Sequence, residues 1–272
     1  MKISILPSLT LLSFPISITA APIQPWHHLL SKRQEWTGMW SQEFSYVGCK
    51  PIIFIWARET IAPGNMGVTI GPSLSNGLKA YFGVQNVATQ GVNYKGLMET
   101  NYYAGGSEPL GIWEMQQLLT QAASYCPQSR IVAAGYRCVL PFLFQQSKNA
   151  CVCLLFSIRI GEGEPFTSKK KKWKAPNRDK NSQGAALTHR AVEAVPQYVK
   201  DRITGVVTFG DTQTLQDGGR IRGYPVERTL IICNTGDVIC AGYMWVVPVH
   251  FYYMQRVPEG LAFLIARILM ST

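Results

Sequence analysis

Three side chains in the second half of the sequence have the types and the order needed for acyl transfer: Ser182, Asp237 and His250. A serine hydroxyl is a weak nucleophile at neutral pH. It attacks a carbonyl when a histidine takes its proton and a carboxylate orients that histidine. Asp237 closes an Asn234-Thr235-Gly236-Asp237 turn between Cys233 and Cys240, and His250 stands beside Phe251, Tyr252 and Tyr253. Singly, each residue has a commoner explanation. A serine before a helix is usually an N-cap, an aspartate in a turn accepts local backbone hydrogen bonds, and a lone histidine is often half-buried at the surface, as is expected of His189. The chain order Ser…Asp…His makes them a constellation.

The nucleophile's own motif is split. Ala133-Ala134-Gly135-Tyr136 ends one piece and Ser182-Gln183-Gly184-Ala185-Ala186 begins the other, with the 45 residues 137–181 between them. Joined, they read Gly-Tyr-Ser-Gln-Gly, the G-x-S-x-G turn that exposes a serine between a strand and a helix. In the uninterrupted motif the residues two before and two after the serine are small, whereas here Lys180 stands two before Ser182. Arg137-Cys138 can be encoded AGG-TGC and Asn181-Ser182 AAC-AGC, so the interval can begin GT and end AG while the flanks rejoin as a serine codon. A retained intron is one reading of the interval; a genuine lid or wall-binding arm is the other.

The surrounding pattern must position these groups. Pro51–Ala57, Asn86–Val92, Arg130–Tyr136, Ile203–Gly210 and Arg228–Cys233 read as strands, the first continuously apolar, as a strand covered on both faces requires. Val68–Phe82, a segment opening at Pro109, Ala185–Val199 and Glu259–Leu269 carry helical spacing. Strands alternating with helices call for right-handed crossovers and a mostly parallel five-stranded sheet at the centre of a three-layer α/β sandwich.

The ends and the charge bear on compartment and partners. Lys2, the apolar run Ile3–Ile18 and Thr19-Ala20-Ala21 have the form of a signal peptide over residues 1–20. A pro-segment over 21–33 would end at the dibasic Lys32-Arg33, whose alternative is a basic surface turn. One catalytic domain, 34–272, is then interrupted by 137–181, and no stretch reads as a transmembrane span. The formal net charge is +10, but residues 137–181 alone hold ten Lys/Arg against three Asp/Glu. Apart from that interval and the leader, acids and bases balance, so a nucleic-acid partner is not expected. A secreted chain permits disulfides. Of seven cysteines, Cys138, Cys151 and Cys153 lie in the interval, and without it the count is even: Cys49, Cys126, Cys233 and Cys240. There is no N-glycosylation sequon.

Several motifs in order carry a family likeness: Ala57-Arg58-Glu59-Thr60-Ile61-Ala62-Pro63-Gly64-Asn65-Met66-Gly67, Gln90-Gly91-Val92, the split Gly-Tyr-Ser-Gln-Gly-Ala, Val207-Thr208-Phe209-Gly210-Asp211, Ile221-Arg222-Gly223-Tyr224-Pro225, Cys233–Cys240 and Val247-Pro248-Val249-His250. The chain resembles the fungal cutinases, secreted serine esterases that cleave the plant polyester cutin, over Cys49–Tyr136 and Ser182–Arg267. The resemblance implies an α/β-hydrolase fold with no long lid, a monomer, no cofactor and no metal, and Cys49–Cys126 and Cys233–Cys240 disulfides. It implies Ser182, Asp237 and His250 as the triad, with the Gln183 backbone and Thr60 as oxyanion donors. Glu59 departs from the family's usual glycine and is expected as an exposed loop carboxylate. Leu97, Met98, Tyr102, Tyr103, Met244, Trp245 and Val246 are candidate crevice walls, with ordinary loop packing as the alternative. An acetylxylan esterase, or a non-catalytic secreted interaction protein with a broken elbow, stays open.

Overall fold

The first strand is apolar throughout because both of its faces are covered. In the computed structural model, which describes residues 36–97, 103, 105–137, 183–243 and 247–271, strand β1 (Ile52–Ala57) is fully buried. Ile53, Ile55 and Ala57 pack with Met115, Leu119 and Ala122 of α3 (Pro109–Tyr125) and Leu187 and Ala191 of α4 (Gln183–Ala194). Ile52, Phe54 and Trp56 face the other way, onto Ile70, Leu74 and Leu78 of α2 (Ile70–Phe82) and Leu264 and Ile268 of α6 (Val257–Met270). The period of two therefore survives inside an unbroken hydrophobic run. Each fully buried Leu, Ile or Phe contributes about 1.5–3 kcal/mol, and the two clusters make the three layers.

The remaining strands are β2 (Val87–Gly91), β3 (Arg130–Tyr136), β4 (Ile203–Phe209) and β5 (Thr229–Ile232). The order is β2-β1-β3-β4-β5, and every pairing is parallel. This is the five-stranded sheet that the strand–helix alternation predicts. The order reverses between β1 and β3, and crevices of open parallel sheets form beyond the carboxyl ends at such a point. The carboxyl ends of β1, β3, β4 and β5 all lie at that edge.

Two elements differ from expectation. The helix expected over Ala185–Val199 is two helices, α4 and α5 (Gln197–Arg202). Pro196 is the reason: it lacks an N–H and its ring would collide with the carbonyl one turn earlier, so it starts α5 instead. Helix α1 (Glu43–Val47), which sequence periodicity missed, is held by tertiary contacts rather than propensity. Its buried Glu43 pairs with Lys79 of α2 and accepts the Thr89 N–H of β2 at 3.1 Å.

Two disulfides close the fold, Cys49–Cys126 and Cys233–Cys240, with sequence separations of 77 and 7. No described helix is long and apolar enough to cross a membrane. Loop-closure entropy scales with the logarithm of loop length, giving about 4.5 kcal/mol for the long closure and about 2.5 kcal/mol for the short one. Urea unfolding of the Cys49→Ala/Cys126→Ala and Cys233→Ala/Cys240→Ala pairs should therefore show the larger loss in the first. A larger loss in the second would mean that the short loop acts on stability through more than its closure.

Candidate active site

The two halves of the split motif meet. Gly135 ends β3 so close to α4 that a Cβ there would lie 2.3 Å from the Gly184 carbonyl oxygen and 2.3 Å from Thr188 Oγ1. A Cβ on Gly184 would lie 2.2 Å from the Tyr136 oxygen and 2.4 Å from that of Arg58. No side chain fits at either place, which is the physical content of the two glycines in G-x-S-x-G. Between them in the chain run the 48 residues 136–183, of which 138–182 lie outside the described region. Ser182, the expected nucleophile, is therefore outside it, as are Met98, Tyr102, Met244, Trp245 and Val246. Arg137, directly after β3, is fully buried and its N–H donates to the Phe209 oxygen at 3.1 Å.

Asp237 and His250 do come together. His250 Nδ1 lies 2.7 Å from Asp237 Oδ2, with both side chains buried. The Ile239 N–H donates to Asp237 Oδ1 at 3.1 Å, and Tyr253 Oη donates to Oδ2 at 2.6 Å. Burial pushes the Asp237 carboxyl up, but the His250 hydrogen bond and charge, then Tyr253 and Ile239, outweigh it and leave the group below its ordinary value. His250 is lowered: burial dominates, Asp237 offsets it in part, and the Arg137 charge adds to the lowering. The imidazole is thus neutral at neutral pH, as a general base requires. Its Nε2 is buried and has no hydrogen-bond partner among the described residues.

Tyr253 is a residue that sequence reasoning missed as part of the site. Pro248–Arg256 is largely 3₁₀ helix. The segment kinks at Tyr252 (φ −93°, ψ 16°), between His250 and Tyr253, and both side chains reach Asp237 Oδ2. Their ring centroids are 5.7 Å apart. The spacing was visible; the kink was not. The short Cys233–Cys240 disulfide encloses Asp237 in the loop after β5.

The loop after β1 supplies the other wall. Thr60 is fully buried and Gln183 opens α4, also buried, its side-chain amide donating to the Leu97 oxygen. Arg58 fastens these pieces: its guanidinium donates to the carbonyls of Glu59 at 2.9 Å, Gly64 at 2.7 Å, Tyr94 at 2.8 Å and Lys95 at 3.1 Å. Ile61 follows Thr60 at φ 58°, and its N–H donates to the Gly96 oxygen at 2.9 Å. A β-branched residue there is a genuine outlier, held by the loop beside the expected oxyanion donor. Leu97 and Tyr103 are 43% and 48% exposed.

Two expectations are corrected. Glu59 is buried, not an exposed loop carboxylate; Thr69 Oγ1 donates to it at 3.1 Å, and burial pushes its carboxyl up. The Gly67 Cα packs against that carboxyl, where a Cβ would lie 2.6 Å from Oε2. His189 is not half-buried at the surface; it is fully enclosed, with Nδ1 2.7 Å from Asp211 Oδ2.

A cutinase family model matches residues 48–138 and 181–268. The chain belongs to the cutinase family. The match stops and resumes at the borders of the interval that separates Tyr136 from Ser182. A cutinase of Pyricularia oryzae is 38% identical over 88% of this chain and 91% of its own length. Among solved structures, a Trichoderma reesei cutinase in complex with a phosphonate inhibitor aligns with a TM-score of 0.58 at 19% identity, covering 85% of this chain and 80% of that one. An acetylxylan esterase aligns at 0.51 with 14% identity over 81% and 99%. These two likenesses concern the fold. As a member of the family, this cutinase is a carboxylic-ester hydrolase.

The hydrogen bond from Tyr253 to an ionised carboxylate contributes about 1.5–3 kcal/mol. Tyr253→Phe should lose about that much in urea unfolding at neutral pH. Because Asp237 is held below its unfolded value, its contribution is present above that value, near pH 4, and is lost as pH falls through the folded one. The Tyr253→Phe deficit should therefore shrink below about pH 4. A deficit independent of pH would place the hydrogen bond elsewhere than on the carboxylate.

Proposed function

We propose that this protein is a secreted serine esterase that hydrolyses cutin or similar aliphatic esters, with Ser182 as nucleophile, His250 as base, Asp237 as its orienting carboxylate, and Thr60 and the Gln183 N–H as oxyanion donors. The observation that carries the reading is the buried Asp237–His250 pair, whose Nε2 is unpartnered among the described residues. It stands at the same sheet edge as the apposed Gly135 and Gly184. The relatives' names support the substrate class.

Each residue is assigned one role. Neutral His250 takes the Ser182 proton through Nε2 as Oγ attacks the ester carbonyl. Asp237, ionised and holding Nδ1–H, stabilises the imidazolium that forms. Thr60 and the Gln183 N–H receive the oxyanion. Collapse expels the alcohol, which takes the proton from His250, and water repeats the sequence on the acyl-enzyme. Leu97 and Tyr103 offer apolar surface to an aliphatic chain. The two disulfides and the leader-like amino terminus support an extracellular setting, and the enzyme acts as a monomer.

Arg137 favours a second reading for the chain as it stands. In the G-x-S-x-G order the residue after Tyr136 is the nucleophile, and here it is a buried arginine whose charge reaches His250. With Lys180 and Asn181 before Ser182 in the sequence, in place of Gly135 and Tyr136, the 272-residue chain is expected to be poorly soluble or inactive, and the hydrolase is the form in which Tyr136 is joined to Ser182.

Two measurements test this. In the joined form, Ser182→Ala, Asp237→Asn and His250→Ala should each lower p-nitrophenyl butyrate hydrolysis by at least roughly 10³-fold; near-parental kcat in Ser182→Ala sinks the assignment. Assayed side by side on tributyrin, the joined form should hydrolyse and the full chain should not. Equal specific activity would make residues 137–181 a functional lid.

A further inference from the structure

The molecule holds a second histidine–carboxylate pair that the proposed chemistry does not use. His189 lies seven residues after Ser182, on α4, the helix that follows the nucleophile. Its Nδ1 is 2.7 Å from Asp211 Oδ2, the same separation as in the His250–Asp237 pair. Its Nε2 lies 3.1 Å from Asp217 Oδ2. All three side chains are fully enclosed. Around them stand Arg190 and Glu193 of the same helix, and Arg222 beyond Asp217. Arg190 pairs with Glu193 and lies 2.8 Å from Asp217; Arg222 lies 2.6 Å from it. The guanidinium of Arg190 sits between Glu193 and Asp217, so the protein supplies its own cation where His189, Glu193 and Asp217 converge.

Both carboxylates belong to the segment after β4, and that segment touches the catalytic pair twice. Gly210, the residue before Asp211, is at φ 66°, and a Cβ there would lie 3.2 Å from His250 Cε1 and 3.3 Å from the Tyr253 ring. The turn is therefore the backstop of the imidazole. Further on, the Leu215 N–H donates to the Cys240 oxygen at 3.3 Å, in the disulfide loop that holds Asp237. Asp211 shapes the turn itself: it accepts the Gln213 N–H at 2.9 Å and Thr208 Oγ1 at 3.2 Å.

We propose that His189 is a positioning residue, a buried ring held between Asp211 and Asp217 that locks the 210–217 segment to α4 and so sets His250 and Asp237 relative to the nucleophile's helix. The proposal rests on the triad reading above. The arrangement suits the task because the Asp211 hydrogen bond orients the ring from Nδ1 while Asp217 lies 3.1 Å from Nε2, and removing the ring strips buried Asp211 of its partner. Burial alone lowers the His189 pKa, but attraction to Asp211 and its hydrogen bond, with Asp217 adding, outweigh burial and the Arg190 charge, so the group ends above its ordinary value. Its contribution to stability is then complete below the unfolded value near pH 6.5 and is lost as pH rises through the folded one.

Proton NMR of the full 272-residue chain, with imidazole resonances assigned by His189→Gln and His250→Gln, tests this without relying on hydrolysis. The parent should show two low-field imidazole N–H signals, one from each carboxylate pair, and the His189 titration midpoint should lie above the ordinary histidine value. His189→Gln should abolish its own signal, shift that of His250, and move the His250 titration midpoint up toward the ordinary histidine value. Asp211→Asn, nearly the same shape, should shift the His250 signal in the same sense and provides the readout where His189→Gln does not fold. A His250 signal and midpoint unchanged in a folded variant overturn the positioning role and leave the triad standing. Absence of the His250 signal in the parent overturns the triad reading, and the positioning role with it.

Discussion

The constraint on which the site depends is the contact between the end of β3 and the first turn of α4, where two glycines leave no room for side chains. That contact brings the helix down onto the sheet edge at the point where strand order reverses. Everything else is arranged around it. The loop after β1 passes over Gly184 through the Ala57 and Arg58 carbonyls, and the Arg58 guanidinium ties that loop to the segment at 94–95. Gln183, at the start of α4, reaches the same segment through the Leu97 oxygen. The candidate oxyanion donors are thus fixed by backbone carbonyls rather than by flexible side-chain pairs.

Electrostatics divides the two buried histidines by number of charged partners. His250 has one carboxylate and a neighbouring arginine charge, and burial keeps it neutral. His189 has two carboxylates within 3.1 Å, and their attraction holds its pKa above the ordinary histidine value. One fold therefore shifts two buried imidazoles in opposite directions, on either side of the Gly210-Asp211 turn. Stored strain sits nearby at Ile61, whose positive φ is over-determined by its bond to Gly96 and the Arg58 anchorage.

Much of this was legible in the residues. The continuous run of β1, the five strands and the Ser…Asp…His order are written in apolar pattern and motif spacing, and they predict the parallel sheet and the Asp237–His250 pair. What escaped is what pattern does not encode. Glu59 and His189 were expected near solvent because a single charged or titratable residue carries no record of its partners; their burial depends on Thr69 and on Asp211, distant in sequence. Helix α1 exists through the Glu43–Lys79 pair, and the break at Pro196 is a local steric rule that apolar spacing overran. Tyr253 was hidden because the kink at Tyr252 that turns it toward Asp237 leaves no mark in apolar spacing.

The central claim is that Gly135 and Gly184 flank a serine nucleophile once the interval between Tyr136 and Ser182 is removed. Reaction of the joined form with a fluorophosphonate, followed by peptide mass spectrometry, reads this out directly. The account predicts one stoichiometric adduct, on Ser182, that is lost in His250→Ala. An adduct on another serine, or none in a folded and disulfide-complete protein, would contradict it.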